Sequence, residues 1–343
     1  MSVTVSAVVS TYNSPEKLRV ALRSIELQSQ KVNEIIVVGD SCSRETEAVL
    51  QELNLPNLRF LNLPLRCGEQ SIPNAVGTLL ATSQFVAYLN HDDLWLPSHI
   101  SLALETLSRH GKSWFIGSAA FCEDLEENSG QSIPIFGSRN DSGRSVGESI
   151  SRVRTYLEPS SSWVVEREQV IAAKNWTPAW KIGRTPVAEL ALRLWRAKGE
   201  PVFGQEISVA KVLGERRNSP GPLYTHEPSL HRYLEILLSE QGHRWPGEIS
   251  WPTKLSRRRL RYDEALFKHL QGGRRAKKAL TLAILLLYRL TGIDLGERAL
   301  RNRFGAGGVL ERALKVRTGE QSLGQYEVSE LVTALGLPWS GND

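Results

Sequence analysis

The chain is poor in cysteine, and the three it has, Cys42, Cys67 and Cys122, show no metal-type spacing. So sparse and odd a set supplies neither a disulfide framework nor a zinc site, and reduced thiols in a cytosolic protein are the plain expectation. Long hydrophobic runs are missing too: no stretch approaches the roughly 20 apolar residues that a spanning helix needs. The N-terminus enters at once an apolar run, Val3 to Ser10, without the basic segment and long apolar stretch of a leader, so no signal peptide is expected. Internal repeats and low-complexity tracts are also lacking. What is present, 41% hydrophobic and 23% charged residues over 343 positions, suits a packed globular protein of one large domain or two ordinary ones.

Positive charge is unevenly spread. Residues 1–250 hold 25 Lys/Arg against 28 Asp/Glu, whereas residues 251–343 hold 17 against 9. The excess in the last quarter points to an anionic surface as its partner, either membrane headgroups or nucleic acid. Two basic clusters carry much of it, Arg257-Arg258-Arg259-Leu260-Arg261 and Arg274-Arg275-Ala276-Lys277-Lys278. They have no interleaved aromatic residues and no accompanying recognition motif, so nucleic acid is not the expected partner. The second cluster precedes ALTLAILLLYRL, apolar nearly all round. Two readings stand: a buried helix with a solvated basic flank, or a helix lying on an anionic bilayer.

The first 120 residues alternate strand-like and helix-like patterns. Apolar, β-branched runs at Val5–Ser10, Glu34–Gly39, Leu58–Leu63, Phe85–Leu89 and Trp114–Phe121 read as strands. Between them, helices are expected from Pro15 to about Gln28, over Arg44–Leu53, Pro73–Thr82 and Pro97–His110. Ser14 and Pro15 form an N-cap and first-turn pair. This rhythm predicts an α/β fold, a mostly parallel sheet with helices on both faces. Residues 123–158 are polar and read as a long loop or an inserted hairpin. Beyond them follow an expected strand at Ser160–Val165, a helix at Pro186–Lys198, a strand at Pro201–Val209 and a helix at Ser229–Ser239. The expected division is residues 1–215 as the α/β domain and 216–343 as a basic, mainly helical C-terminal region.

In open parallel sheets ligands bind at the carboxyl ends of strands. Three polar signals fall there: Thr11-Tyr12-Asn13, Asp40, and Asn90-His91-Asp92-Asp93. Each alone has an ordinary reading as a turn former or helix cap. The adjacent carboxylates of Asp92 and Asp93 repel each other and would gain from a shared divalent ion. Magnesium or manganese typically takes one or two carboxylates together with substrate phosphates. His91 reads as a local hydrogen-bonding group. Trp163, Trp176 and Trp180 could stack on a sugar, although core positions are commoner for tryptophan.

In order, spacing and flanking strands, these motifs resemble family 2 glycosyltransferases of the GT-A fold, a likeness that covers roughly residues 1–210. The Thr-Tyr-Asn turn stands where the family has one after its first strand. Asp40 matches its base-recognising acid. Gly68, Asn74 and Gly77 match a Gly-x-x-x-x-x-Asn-x-x-Gly stretch, and Asn90 to Pro97 (NHDDLWLP) match Asp-x-Asp-Asp-x-Trp-x-Pro. SSSWVVER and AELALR continue the likeness. Two positions depart from the pattern. Asn90 replaces the first acid of Asp-x-Asp, and Pro186-Val187 stand where many members carry Glu-Asp, leaving Glu189 as the nearest carboxylate.

The resemblance implies an inverting transfer from a nucleoside-diphosphate sugar to an acceptor hydroxyl of the glycan or lipid-linked class, dependent on Mn or Mg. The nucleotide side would comprise Thr11, Tyr12, Asn13, Asp40, Asn74, Asn90 and Asp92. Asp92, Asp93 and His226 would serve the metal, and Glu189 and Asp93 the chemistry. The implied location is the cytoplasm, with peripheral contact at the inner face of the membrane. Two rivals remain: a non-catalytic sugar-nucleotide-binding or scaffold protein, and a nucleotidyltransferase. The latter usually shows a basic Gly-rich loop after its first strand, which Thr11–Lys17 lacks.

Overall fold

The structure, a computed structural model, describes residues 3–122, 135–138, 160–198, 201–212, 234–235, 274–305, 307–308, 310–311 and 328–336. Within them the chain runs β1 (Val5–Thr11), α1 (Pro15–Glu26), β2 (Glu34–Gly39), α2 (Arg44–Leu53), β3 (Leu58–Asn62), α3 (Ser71–Leu80), β4 (Phe85–Asn90), β5 (Asp93–Trp95) and α4 (His99–His110). There follow β6 (Trp114–Cys122), β7 (Ile135–Ser138), a 3-10 turn at Ser160–Ser162, β8 (Trp163–Glu166) and α5 (Arg167–Ala172). A second 3-10 turn at Ala179–Lys181 leads to α6 (Pro186–Lys198) and β9 (Val202–Val212). Three further helices are α7 (Arg274–Thr291), α8 (Leu295–Phe304) and α9 (Val328–Ala334).

The nine strands form one sheet in the order β3-β2-β1-β4-β8-β6-β9-β5, with β7 paired to β6. The β3-β2-β1-β4 half is wholly parallel. In the other half β8 runs antiparallel to both β4 and β6, β9 is parallel to β6, and β5 is antiparallel to β9.

Why the first strands read as unbroken apolar runs is plain from the two cores. Side chains alternate across a strand, and both sheet faces are covered, so nearly every position of β1, β2 and β4 is buried and most are apolar. Val8, Ile36, Val38, Val86 and Tyr88 enter one core with Ile72, Val76 and Leu79 of α3. Their neighbours Ala7, Val9, Ile35, Val37, Ala87 and Leu89 enter the other, with Leu18, Leu22 and Ile25 of α1 and Ile100 and Leu107 of α4. Helix α3 lies so close to β1 that a Cβ on Gly77 would come 2.3 Å from Val8 Cγ1. The glycine of the sequence motif is therefore required for packing.

The last three helices do not stand apart from the sheet domain. Leu285 and Tyr288 of α7 and Val332 of α9 join the first core beside Val187, Leu190 and Trp195 of α6. Arg184 pairs with Asp294 at 2.8 Å, and Gly183 donates its N–H to Glu297. The Arg196 and Arg289 guanidiniums lie over the rings of Tyr288 and Trp195, at 5.6 and 4.9 Å.

Boundaries differ from the sequence expectations in two instructive places. Ser160–Ser162 is a 3-10 turn rather than the start of a strand. Asp93–Trp95, taken as a motif or helix cap, is a short strand pairing with β9. The helix expected at Ser229–Ser239 lies almost entirely outside the described residues, as does most of 123–158.

Candidate donor-binding site

The parallel half brings the ends of β1, β2 and β4 side by side, with Thr11 opposite Gly39 and Ser10 opposite Asn90. The turns that follow are tied together by hydrogen bonds. Asp40 N–H donates to the Thr11 carbonyl at 2.8 Å. Asn13, at φ 37°, accepts from Ser43 N–H at 2.8 Å, joining the first turn to the second. Thr11 is buried, and its hydroxyl has no hydrogen-bond partner among the described residues.

Asp40 is only 4% exposed and is gripped by backbone. Its two oxygens accept from Cys67 N–H at 2.6 Å and Gly68 N–H at 2.8 Å. Gly68 reaches this position at φ 77°, in the left-handed region that favours glycine. Burial pushes the Asp40 carboxyl up, against the opposing pull of those two amides and of Arg66. Above it the Arg66 guanidinium stacks over the Tyr12 ring at 4.2 Å.

Glu69 follows directly. It accepts from Ser71 N–H at 2.6 Å and from the Ser71 hydroxyl, holding the start of α3. Burial pushes its carboxyl up to about 7 despite these donors and the Ala179 amide. One turn into α3, Asn74 is 1% exposed, and neither its amide oxygen nor its nitrogen has a partner among the described residues. Buried amides are seldom left so.

At the end of β4, Asn90 donates to Asp93 Oδ2 at 3.0 Å and lies 3.4 Å from the Ser160 hydroxyl. His91 Nδ1 stands 3.3 Å from the Ser10 carbonyl, a local contact. Asp92 is half-buried at the turn. Asp93, expected to join Asp92 on the metal, is instead fully buried and committed inward. Oδ1 accepts from Lys211 Nζ at 3.0 Å and Oδ2 from the Ser161 hydroxyl at 2.5 Å. Burial raises its carboxyl, and Asp92 adds to this, while Lys211 and Ser161 oppose. Antiparallel pairing with β9 explains the arrangement: Asp93 and Lys211 are register partners.

Glu189 belongs to a different network. Its oxygens receive Arg193 Nε and Nη2, each at 2.6 Å, a bidentate pair. The same guanidinium donates to the carbonyls of Ala173 and Asn175 and to the Thr177 hydroxyl, so it fastens residues 173–177 to α6. Trp163 and Trp176 are 0% and 1% exposed and stack on one another in the first core, where Trp180 also packs; none presents a sugar platform. His226 lies outside the described residues.

Residues missed in the sequence are Lys211, Ser160, Ser161, Arg66 and Glu69. A lone lysine in the apolar run Ser208-Val209-Ala210-Lys211-Val212, ending a strand of a sheet buried on both faces, was the available signal. The serines preceding Trp163 were another.

Comparison with known proteins agrees with this geometry. Residues 6–156 match the family described as Glycosyl transferase family 2. A curated relative, GalNAc(5)-diNAcBac-PP-undecaprenol beta-1,3-glucosyltransferase of Campylobacter jejuni subsp. jejuni serotype O:2, is 34% identical over 103 residues, 29% of this chain. That match spans about a third of the relative, 33% of its length. Among solved structures, S. aureus TarS 1-349 superposes with a TM-score of 0.52 at 14% identity, covering 84% of this chain and 81% of that one. The same protein in complex with UDP-GlcNAc gives 0.52 at 16% identity, covering 92% and 84%. At such identities the likeness speaks for the fold, which is GT-A, with helices following the sheet domain. The N-terminal part of the chain, over residues 6–156, is thus similar to glycosyl transferase family 2.

Proposed function

We propose that the chain is a glycosyltransferase that moves a sugar, with inversion, from a nucleoside-diphosphate donor to an acceptor hydroxyl. The observation that carries the reading is the convergence of three turns, those of Thr11–Asn13, Asp40 and Asn90–Asp92, at the ends of parallel strands. Asp40 is the group for the base and Asn90 for the ribose, with Thr11, Tyr12 and Asn13 forming the adjoining wall. The unpartnered amide of Asn74 is a second polar group left for the donor.

A divalent cation, Mn or Mg, is part of the reading. Among the described residues no three His, Cys, Asp or Glu side chains gather into a metal cluster. An ion shared between one carboxylate and the donor's phosphate oxygens needs no such cluster, and Asp92 fits that role. When bound, it would neutralise charge on the departing diphosphate. Asp93, enclosed by Lys211, Ser161 and Asn90, is better suited to shaping the turn.

For the base that takes the acceptor proton, Glu189 in the first turn of α6 is the candidate. Its bidentate pairing with Arg193 is the observation that favours the second reading, a protein that binds sugar nucleotides without transferring them. We assign the acceptor to the lipid-linked class. The curated relative's name, which specifies an undecaprenol-linked acceptor, supports this. So does the outer side of α7 and its turn into α8, where Leu286, Leu290, Ile293 and Leu295 are 58%, 78%, 43% and 41% exposed. Exposed Arg298 and Arg303 lie close by in the chain, a pairing of apolar and basic groups suited to an anionic bilayer surface. No described helix is long and apolar enough to cross a membrane. The sheet domain, 1–215, and the basic region, 216–343, would then divide donor chemistry from surface contact.

The deciding experiment incubates the chain with a panel of nucleotide sugars, with and without manganese. Release of nucleoside diphosphate that rises with manganese and falls in Asp92→Asn is expected. Binding without turnover, in the presence of lipid-linked acceptors, would select the second reading.

A further inference from the structure

Beside the donor turn the sheet carries a cation of its own. Lys211 sits on β9, in register with Asp93, and its Nζ lies 3.0 Å from Asp93 Oδ1. The Asp93 side chain is 0% exposed, whereas that of Lys211 is 23% exposed, so of the two partners it is the lysine side chain that reaches the surface. Buried ion pairs are weak stabilisers, because desolvation offsets much of the attraction. Keeping one at the strand ends, directly beside Asp92, calls for a reason beyond stability.

The polar groups around it supply one. Asp93 Oδ2 is held by Asn90 Nδ2 at 3.0 Å and by the Ser161 hydroxyl at 2.5 Å. A carboxylate at position 90 would place a second negative charge at hydrogen-bonding distance from Asp93, whereas the Asn90 amide donates to it instead. The turn therefore combines a neutral amide, the carboxylates of Asp92 and Asp93, and one fixed ammonium. Its charge balance is less negative than two open carboxylates would give, which favours an approaching polyanion and disfavours a bare metal ion.

We infer that Lys211 is a donor-binding residue, an ammonium built into the sheet that faces the diphosphate and holds it whether or not a metal ion is present. The inference rests on the proposed nucleotide-sugar site. Asp93 then acts as a positioning residue: it fixes the ammonium and, through Asn90 and Ser161, the shape of the turn.

The test is calorimetry of UDP, GDP, CDP and ADP binding to the full chain in EDTA and in manganese. The parent should bind one of them measurably in EDTA. Asp93→Asn can still accept from Asn90 and Ser161 through its amide oxygen but releases the ammonium from its carboxylate, and should tighten metal-free binding several-fold. Asp93→Asn/Lys211→Gln replaces the ion pair by two amides that can pair with each other, and should reverse that gain and fall at least about tenfold below the parent. Lys211→Arg should stay near the parent, because it keeps the charge. Thermal unfolding of each variant reports separately on the fold. If the double variant is folded and binds as tightly as the parent, Lys211 is structural and the inference fails. Should the double variant not fold, unchanged or weaker binding by Asp93→Asn overturns it alone. If the parent binds no nucleoside diphosphate in EDTA but does in manganese, the site reading survives and the inference does not. Absence of binding under both conditions removes the site reading itself.

Discussion

The two halves of the sheet hold their functional groups by different means. In the parallel half Asp40 is fixed by the backbone amides of Cys67 and Gly68, on a turn that follows its strand within the same strand–helix units. In the mixed half Asp93 is fixed by side chains, Lys211, Ser161 and Asn90, and its partner Lys211 lies 118 positions further along the chain. Apart from Gly68, whose φ of 77° favours glycine, backbone donors tolerate changes of side chain at the donor residues. Side-chain donors do not, so the mixed half is where single substitutions can retune the site.

The largest expected effect lies outside the sheet, on α6. Glu189→Gln should lower transfer by about two orders of magnitude while donor binding, read by calorimetry, stays unchanged. A loss of only a few-fold would mean that the pair with Arg193 serves α6 and residues 173–177 alone.

In the parallel half the vulnerable point is packing. Gly77→Ala would thrust a methyl group against Val8 and should destabilise the chain by about 1–3 kcal/mol, read from the denaturant midpoint. Adding Val8→Ala should recover part of the loss. Additive effects would show that α3 does not press on β1 as described.

A smaller effect separates the sheet domain from the basic helices. Leu286→Glu with Leu290→Glu should reduce flotation with anionic vesicles at low salt and leave nucleotide binding intact. Retained flotation would move the contact elsewhere.

The last expected effect is one of pH and concerns Glu69. Its carboxyl is raised to about 7 in the folded chain, so the native state holds a proton that the unfolded state has already released. The stability this gives is present below the unfolded value, about 4.3, and is lost as pH rises through about 7. Unfolding free energy of the parent, relative to Glu69→Gln, should therefore fall between pH 4.5 and 7.5. A flat difference would show that Glu69 is already ionised at the acid end.

How much of this was legible in the sequence follows the same division. Strands β1 to β4 and the placement of Asp40 and Asn90 at strand ends could be read because each strand–helix unit is local and β1, β2 and β4 are largely apolar. The commitment of Asp93 could not. Strand β5 is three residues long, too short for periodicity, and its pairing with β9 leaves no local mark. Glu189 was visible as the carboxylate nearest the missing Glu-Asp pair, but sequence does not reveal that Arg193 holds it and also gathers residues 173–177. The apolar segment of α7 was read either as buried or as surface-lying. In the structure its faces divide, with Leu285 and Tyr288 buried and Leu286 and Leu290 exposed.

A Cβ on Gly308 would come 2.3 Å from Gly183 Cα, and one on Gly183 would meet Arg301 at 2.9 Å. Two backbones thus touch without an intervening side chain, one from the sheet domain and one from the tail. The residues just before Gly183, Ala179 to Lys181, reach back to Glu69 through the Ala179 amide. The expected domain boundary, near residue 216, is accordingly no place to cut the chain. Trimming there would uncover Trp195 and strip Arg184 of its carboxylates. It would also leave the segment beside the donor loop without its outer brace, so the tail is a keel fastened to the hull rather than cargo towed behind it.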